Sequence, residues 1–209
     1  MSQRTRKSEN EIDAQRLGNE IREVRKARGL TLIELSENVS CSVAYLSRIE
    51  RGTTRISVEL LRDISDALSV DPAWFFPKRT AHGPLERNHV VRATSRRPLS
   101  GMYTRSTQEL GFEDELLSST LSGECYLLLS RFAAGTGSLP EAMEGYVFEG
   151  EQHGLVLSGE IVLILGNEKI VLKTGDSFSY PSTIPHRFRN NTEAEATMVW
   201  AMAPVRISW

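Results

Sequence analysis

The residues able to do chemistry gather in a few short stretches of this chain. One is "YVFEGEQHGLVLSGE", residues 146–160, and another is "GDSFSYPSTIPHRFRN", residues 175–190. They hold His153 and His186, with Glu149, Glu151 and Gln152 nearby in sequence. A bound divalent metal needs about three His or carboxylate ligands converging on one point. Successive strand side chains face opposite ways, so if Gln152 points inward, Glu151 and His153 point out. A metal set of Glu151, His153 and His186 would need a rearranged strand. A surface position for His153 is the simpler reading, while His186 is open between a structural and a binding role. No Ser-His-Asp, Cys-His or paired-carboxylate set stands out elsewhere. A different chemistry lies in "SCSVAYLSRIERG", residues 40–52, where small side chains precede Arg48 and Arg51. An arginine on an exposed helix face can form paired hydrogen bonds with a guanine edge.

Two kinds of element must carry these groups. The first 76 residues have helical periods. Leu17, Ile21, Val24 and Arg28 recur at three- and four-residue spacing, and Gly29 closes the pattern. Thr31 to Glu34 form a capping box for a helix bearing Leu32, Leu35 and Val39. Ser42 caps a third helix with Leu46 and Ile49, which stops at Gly52. Ser57 caps a fourth with Leu60, Leu61, Ile64 and Leu68. Asp71-Pro72 opens a fifth through Trp74 and Phe75. Residues 77–100 mix prolines, charges and glycine, and "HVVRA" within them has strand character. Beyond residue 100 the apolar runs are strand-length, divided by Gly- and Asn-containing turns. Many short strands so punctuated imply an antiparallel barrel or jelly roll.

The stretch from Leu30 to Val70 resembles the helix-turn-helix of the XRE, or phage-repressor-like, family. It matches in the Thr-x-x-Glu-Leu opening at Thr31, in "LSRIERG" and in "LLRDISDALSV". The resemblance covers residues 12–76 and implies a lambda-repressor-like DNA-binding domain. The helix after Ser42 would lie in the major groove of double-stranded operator DNA. The family's pattern then places DNA contacts at Thr31, Ser42, Val43, Ala44, Ser47, Arg48 and Arg51. Arg48 is the residue suited to guanine; Val43 and Ala44 suit a thymine methyl. Two departures stand out. Leu32 replaces a frequent glutamine that touches phosphate. Ser40 replaces a turn glycine, at a cost of about 1 kcal/mol if its φ is positive.

Residues 145–203 resemble the cupin superfamily. Gly175, Pro181, His186 and Asn190 fit its second motif, with Thr183 in place of a usual glycine. In its first motif, counted back from Gly159, the glutamate position holds Gln152. The histidine positions fall near Tyr146 and Phe148. One metal ligand of four, His186, remains, and no metal or other cofactor is expected. The remaining wall is Tyr146, Phe148, Gln152, Phe178, Tyr180, His186 and Trp200. Alternation puts Phe178 and Tyr180 on one face, and Met198, Trp200 and Met202 on one face. Such stripes are mostly core, yet a small barrel can leave room for one small organic effector, an amine or an acid.

A helix-turn-helix followed by a cupin barrel is the layout of bacterial regulators similar to the putrescine-utilisation repressor. The fold class expected is therefore multidomain, α then β. A basic tail (1–11) precedes a five-helix domain (12–76), a linker (77–97) and an antiparallel cupin jelly roll (98–209). The expected function is a homodimeric regulator, in the repressor sense, and not an enzyme. The alternatives are a metal-dependent cupin dioxygenase or isomerase fused to a DNA-binding module, and a DNA-binding protein whose barrel only dimerises. Bulk properties agree. Among the 209 residues, 1–80 carry 14 Lys+Arg against 12 Asp+Glu, and 81–209 carry 11 against 15. The front end leans towards a polyanion. No apolar run is long enough to span a membrane and the start lacks a secretory core, so a cytoplasmic location is expected. Cys41 and Cys125 are expected as separate, buried small hydrophobes.

Overall fold

The structure is a computed structural model that describes residues 3–76, 89–102, 111–121, 123–139 and 145–204. Contacts divide the chain into two compact units, helices before residue 80 and strands after it.

The helical unit holds α1 (Gln3–Ala27), α2 (Leu32–Asn38), α3 (Val43–Glu50) and α4 (Val58–Ala67). Residues 3–11, expected as a tail, continue α1; no glycine or proline interrupts the sequence before Gly18. The four caps read from sequence form. Glu34 N–H donates to Thr31 Oγ1 at 3.2 Å, and Thr31 N–H to Glu34 Oε2 at 2.7 Å. Ser42 accepts from Tyr45 N–H, Ser57 from Leu60 N–H, and Asp71 from Ala73 N–H. The expected fifth helix is instead a single 3-10 turn, Pro72–Phe75. Phe76 precedes Pro77, and a residue before proline is pushed out of the helical region. Ser40 has φ 49°, the strained conformation its turn position demands.

Ile21, Val24, Leu35, Leu46, Ile49, Ile64, Leu68 and Phe75 form the helical core. A buried ion pair crosses it. Arg25 Nε and Nη2 donate to Glu50 Oε1 and Oε2 at 2.6 and 2.9 Å, and Nη1 donates to the Leu30 carbonyl at 2.8 Å. Gly18 lets α1 approach α3 closely: a Cβ there would stand 2.2 Å from the Ile49 carbonyl oxygen.

The strand unit contains β1 (Arg97–Pro98), β2 (Phe112–Leu116), β3 (Tyr126–Phe132), β4 (Glu151–Ser158) and β5 (Glu160–Leu165). It continues with β6 (Glu168–Lys173), β7 (Ser177–Pro181), β8 (His186–Arg189) and β9 (Ala196–Ala203). Two antiparallel sheets result, β1-β2-β3-β9-β4-β7 and β6-β5-β8. They pack face to face through Phe132 and Phe178 of the first against Phe188 of the second. Among the described residues this is a two-sheet sandwich, and the ladders do not join into a closed barrel. β4 and β5 are parted only by Gly159, whose φ of 77° turns the chain from one sheet to the other.

Alternation fixes the inner face of the large sheet. Its rows across β3, β9, β4 and β7 are Tyr126–Met202–Gln152–Tyr180 and Leu128–Trp200–Gly154–Phe178. A further row is Asp114–Ser130–Met198–Val156. The residues 77–88 of the expected linker lie outside the described residues. Of the remainder, residues 90–92 are irregular rather than a strand, Ala93–Ser95 is a 3-10 turn, and Arg97 already pairs with Leu116. Cys125 is exposed and Cys41 half-buried, so neither is the core hydrophobe expected.

Candidate functional site

The first candidate surface is built on α3. Leu46, Ile49 and Glu50 point into the helical core. The 3.6-residue period then turns Ser42, Val43, Ala44, Arg48 and Arg51 outward, all exposed, with Ser47 half-buried beside them. Thr31 is also exposed and spends its hydroxyl on the α2 cap. Arg48 sets its guanidinium over the Tyr45 ring, 5.8 Å from the centroid, which holds an otherwise free side chain along the helix. Arg51 Nε bonds the Ser47 carbonyl at 3.1 Å. The result is a narrow stripe of small side chains flanked by two arginines, a shape a major groove can admit. Ser42 caps the helix at the end that would meet base edges.

The second candidate lies in the strand unit around His186. The strand β8 turns His186 and Phe188 inward, and Arg187 and Arg189 the other way. Segment 146–150 runs along the 182–186 turn. Tyr146 and His186 exchange two backbone hydrogen bonds, and Phe148 N–H donates to the Ser182 carbonyl. Tyr180, Phe148 and Tyr146 thereby surround the imidazole at ring-centroid distances of 4.9, 5.7 and 6.3 Å. Tyr180 Oη donates to Gln152 Oε1 at 2.6 Å. Burial pushes the Tyr180 phenol far above its ordinary value, so it stays a donor.

Five of the seven wall residues named from sequence meet here: Tyr146, Phe148, Gln152, Tyr180 and His186. Phe178 stacks on Tyr180 but lies across Gly154, whose missing side chain makes room for its ring. Trp200 stands apart. Its Nε1 donates to Ser130 Oγ at 2.6 Å, and Ser130 in turn donates to the buried carboxylate of Asp114. Sequence reasoning missed Asp114 and Ser130; the alternation Phe112, Asp114, Leu116 was the signal available for Asp114. It missed Ser182 too, which alternation from Tyr180 places inward.

A cupin metal would need several ligands at this point. Tyr146 and Phe148 offer rings, Gln152 a neutral amide already holding a phenol, and His186 one nitrogen. Glu151 and His153 pair with each other at 3.3 Å on the exposed side. Among the described residues no three His, Cys, Asp or Glu come together. This donor set does not fit a divalent ion.

His186 Nδ1 lies 2.9 Å from the Ile184 carbonyl. A carbonyl only accepts, so Nδ1 carries the proton and Nε2 presents a lone pair. Burial holds this imidazole below its ordinary value of 6.5, although the bond to Ile184 works the other way. As pH falls, the unfolded chain therefore takes up the proton first. Stability from this site is full above the ordinary value and is lost as pH falls through the folded one. We expect the strand unit's melting temperature to fall more steeply between about pH 7 and 5 in the unaltered protein than in His186→Phe. Equal slopes would show that another group titrates.

Residues 21–75 match the helix-turn-helix family and residues 142–202 the cupin domain family. The chain thus carries an XRE-type helix-turn-helix domain followed by a cupin domain. It is similar to the uncharacterized HTH-type transcriptional regulator y4wC of Sinorhizobium fredii, 32% identical over 75 residues, which cover 36% of this chain and 52% of that one. It is also similar to the transcriptional regulator ClgR of Mycobacterium tuberculosis, 43% identical over 54 residues, covering 26% and 48%. The chain spans about half the length of these curated relatives. A solved HTH_3 family transcriptional regulator from Vibrio cholerae aligns over 93% of this chain and 98% of that one, at 19% identity and a TM-score of 0.40. Among the described residues, no helix is long and apolar enough to cross a membrane.

Proposed function

We propose that this chain is a DNA-binding transcriptional regulator, a repressor that grips double-stranded operator DNA as a homodimer. The observation that carries the reading is the exposed stripe Ser42, Val43, Ala44, Ser47, Arg48 and Arg51 on a helix whose opposite face is locked into the core. The match to the helix-turn-helix family supports it. One recognition helix covers only a few base pairs, so two chains on a two-fold site supply the affinity and the length of sequence read. The cupin domain, with boundaries near 98–209 and a jelly-roll interior, links the chains and binds a small organic effector. It does no catalysis: the groups around His186 hold neither a metal set nor a nucleophile with its base. The protein acts in the cytoplasm.

The effector must favour one DNA-binding state over the other, since equal affinity shifts nothing. A coupling of about 1–3 kcal/mol is typical of such linkage.

Arg48→Ala tests the reading of α3. Loss of a bidentate guanine contact should cost about 1–3 kcal/mol on the operator and relax preference at one base pair per half-site. Binding to random DNA should change far less. The measurement is a titration of both DNAs at one salt concentration. Equal losses on the two would mean that Arg48 touches phosphate only.

A further inference from the structure

Two polar side-chain atoms of the 182–186 turn are left uncommitted among the described residues. His186 Nε2 and Ser182 Oγ are buried without a hydrogen-bond partner. His186 is 2% exposed and Ser182 0%. Beside them, Gln152 spends its amide oxygen on the Tyr180 phenol, so its amide nitrogen is a donor. Native proteins leave few buried polar groups unpaired, and each one calls for a reason. These two stand four residues apart on one turn. Ser182 directly follows β7, next to the buried Tyr180, and is itself fully buried. Its backbone is tied to Phe148 and Gly150, and His186 is tied to Tyr146, two residues before Phe148. Gln152 and His186 both adjoin Tyr180.

The roles of these atoms are fixed. Nε2 of His186 can only accept, because Nδ1 holds the proton for Ile184. The Gln152 nitrogen can only donate, and the Ser182 hydroxyl can do either. None of the three carries charge. Among the described residues, the charged groups near them in sequence face away: Arg187 and Arg189 alternate out of the interior, and Glu149 and Glu151 are exposed. Asp114 is held by Ser130, in the row of Val156 rather than that of Gln152. Those rows are four residues apart along β4, roughly 13 Å. A charged ligand head would therefore be buried here without a counter-charge, which is costly. A hydroxyl group, at once donor and acceptor, satisfies all three atoms. Tyr146 and Phe148 stack on each other at 5.8 Å beside them.

We propose that His186, Gln152 and Ser182 are the polar end of the effector site, and that the ligand is an uncharged, hydroxyl-rich molecule, a sugar or polyol in chemistry, lying against Tyr146 and Phe148. This rests on the reading of the cupin domain as effector-binding.

The test is a thermal-shift screen of the full chain with three sets of compounds on matched carbon skeletons. They are neutral sugars and sugar alcohols, the corresponding amino sugars, and the corresponding sugar acids and phosphates. Neutral members should raise the melting temperature. Gln152→Leu and Ser182→Ala should weaken the stabilising compound about tenfold or more. Ser182→Ala should melt no lower than the unaltered protein when unliganded, because it removes an unpaired buried hydroxyl. Stabilisation by charged members alone would overturn this proposal and leave the effector reading standing. Stabilisation by no compound of any charge would sink the effector reading as well. A Ser182→Ala protein that melts lower and keeps its full ligand shift would show that the hydroxyl is structural.

Discussion

Arg25→Ala is expected to destabilise the helical unit by about 3–5 kcal/mol, a large part of the stability of a unit this size. Arg25 on α1 is 8% exposed and Glu50 at the end of α3 is 5% exposed. Their two parallel hydrogen bonds are the charge-assisted, planar kind that only arginine makes. Removing Arg25 leaves the Glu50 carboxylate buried with no positive charge beside it. Replacing both residues is a different matter. Arg25→Met with Glu50→Leu should recover most of the loss, because a well-packed apolar pair can stand in for a buried ion pair. Denaturant unfolding followed by helical circular dichroism measures both. A single variant as stable as the parent would mean that water reaches Glu50. The consequence extends to function. Glu50 sits one turn from Ser47 on α3, so the pair ties α3 to α1 beside the exposed stripe.

What could be read from the sequence was what short-range chemistry decides. The caps at Thr31, Ser42, Ser57 and Asp71 depend on residues two or three apart, and all four formed. The positive φ at Ser40 followed from its place in a turn. The period of two put Phe178 with Tyr180, and Met198 with Trp200 and Met202, on inner faces. Long-range pairing was not legible. In sequence, Trp200 groups with His186 because both are large and suited to an inner wall. Its partner proved to be Ser130, 70 residues earlier, because β9 runs between β3 and β4. The Arg25–Glu50 pair, 25 residues apart, left no local trace. The expected fifth helix stops at one 3-10 turn for a local reason, the proline after Phe76. Ser182 leaves little trace in the sequence, because a small hydroxyl between Pro181 and Pro185 reads as a turn residue; that it has no partner is visible only in the fold.

The linkage of two reading helices should have the second large effect. In the proposed homodimer each half-site contact is weak, and pairing through the cupin domain would make the second contact intramolecular. Deleting residues 98–209 should therefore weaken operator binding by about 10²–10⁴-fold, while the isolated helical unit still contacts one half-site. Random DNA should register less of the change, since phosphate contacts do not depend on register.

The most direct measurement is a footprint of the full chain and of the 1–97 fragment on DNA selected from a random pool by the full chain. The full chain should select a two-fold symmetric site and protect two half-sites with centres about 34 Å apart, one turn of duplex. The fragment should protect neither at the concentration that saturates the full chain. A pool with no enriched sequence, or a fragment that binds with undiminished affinity, would contradict the account of a dimer that reads operator DNA through α3.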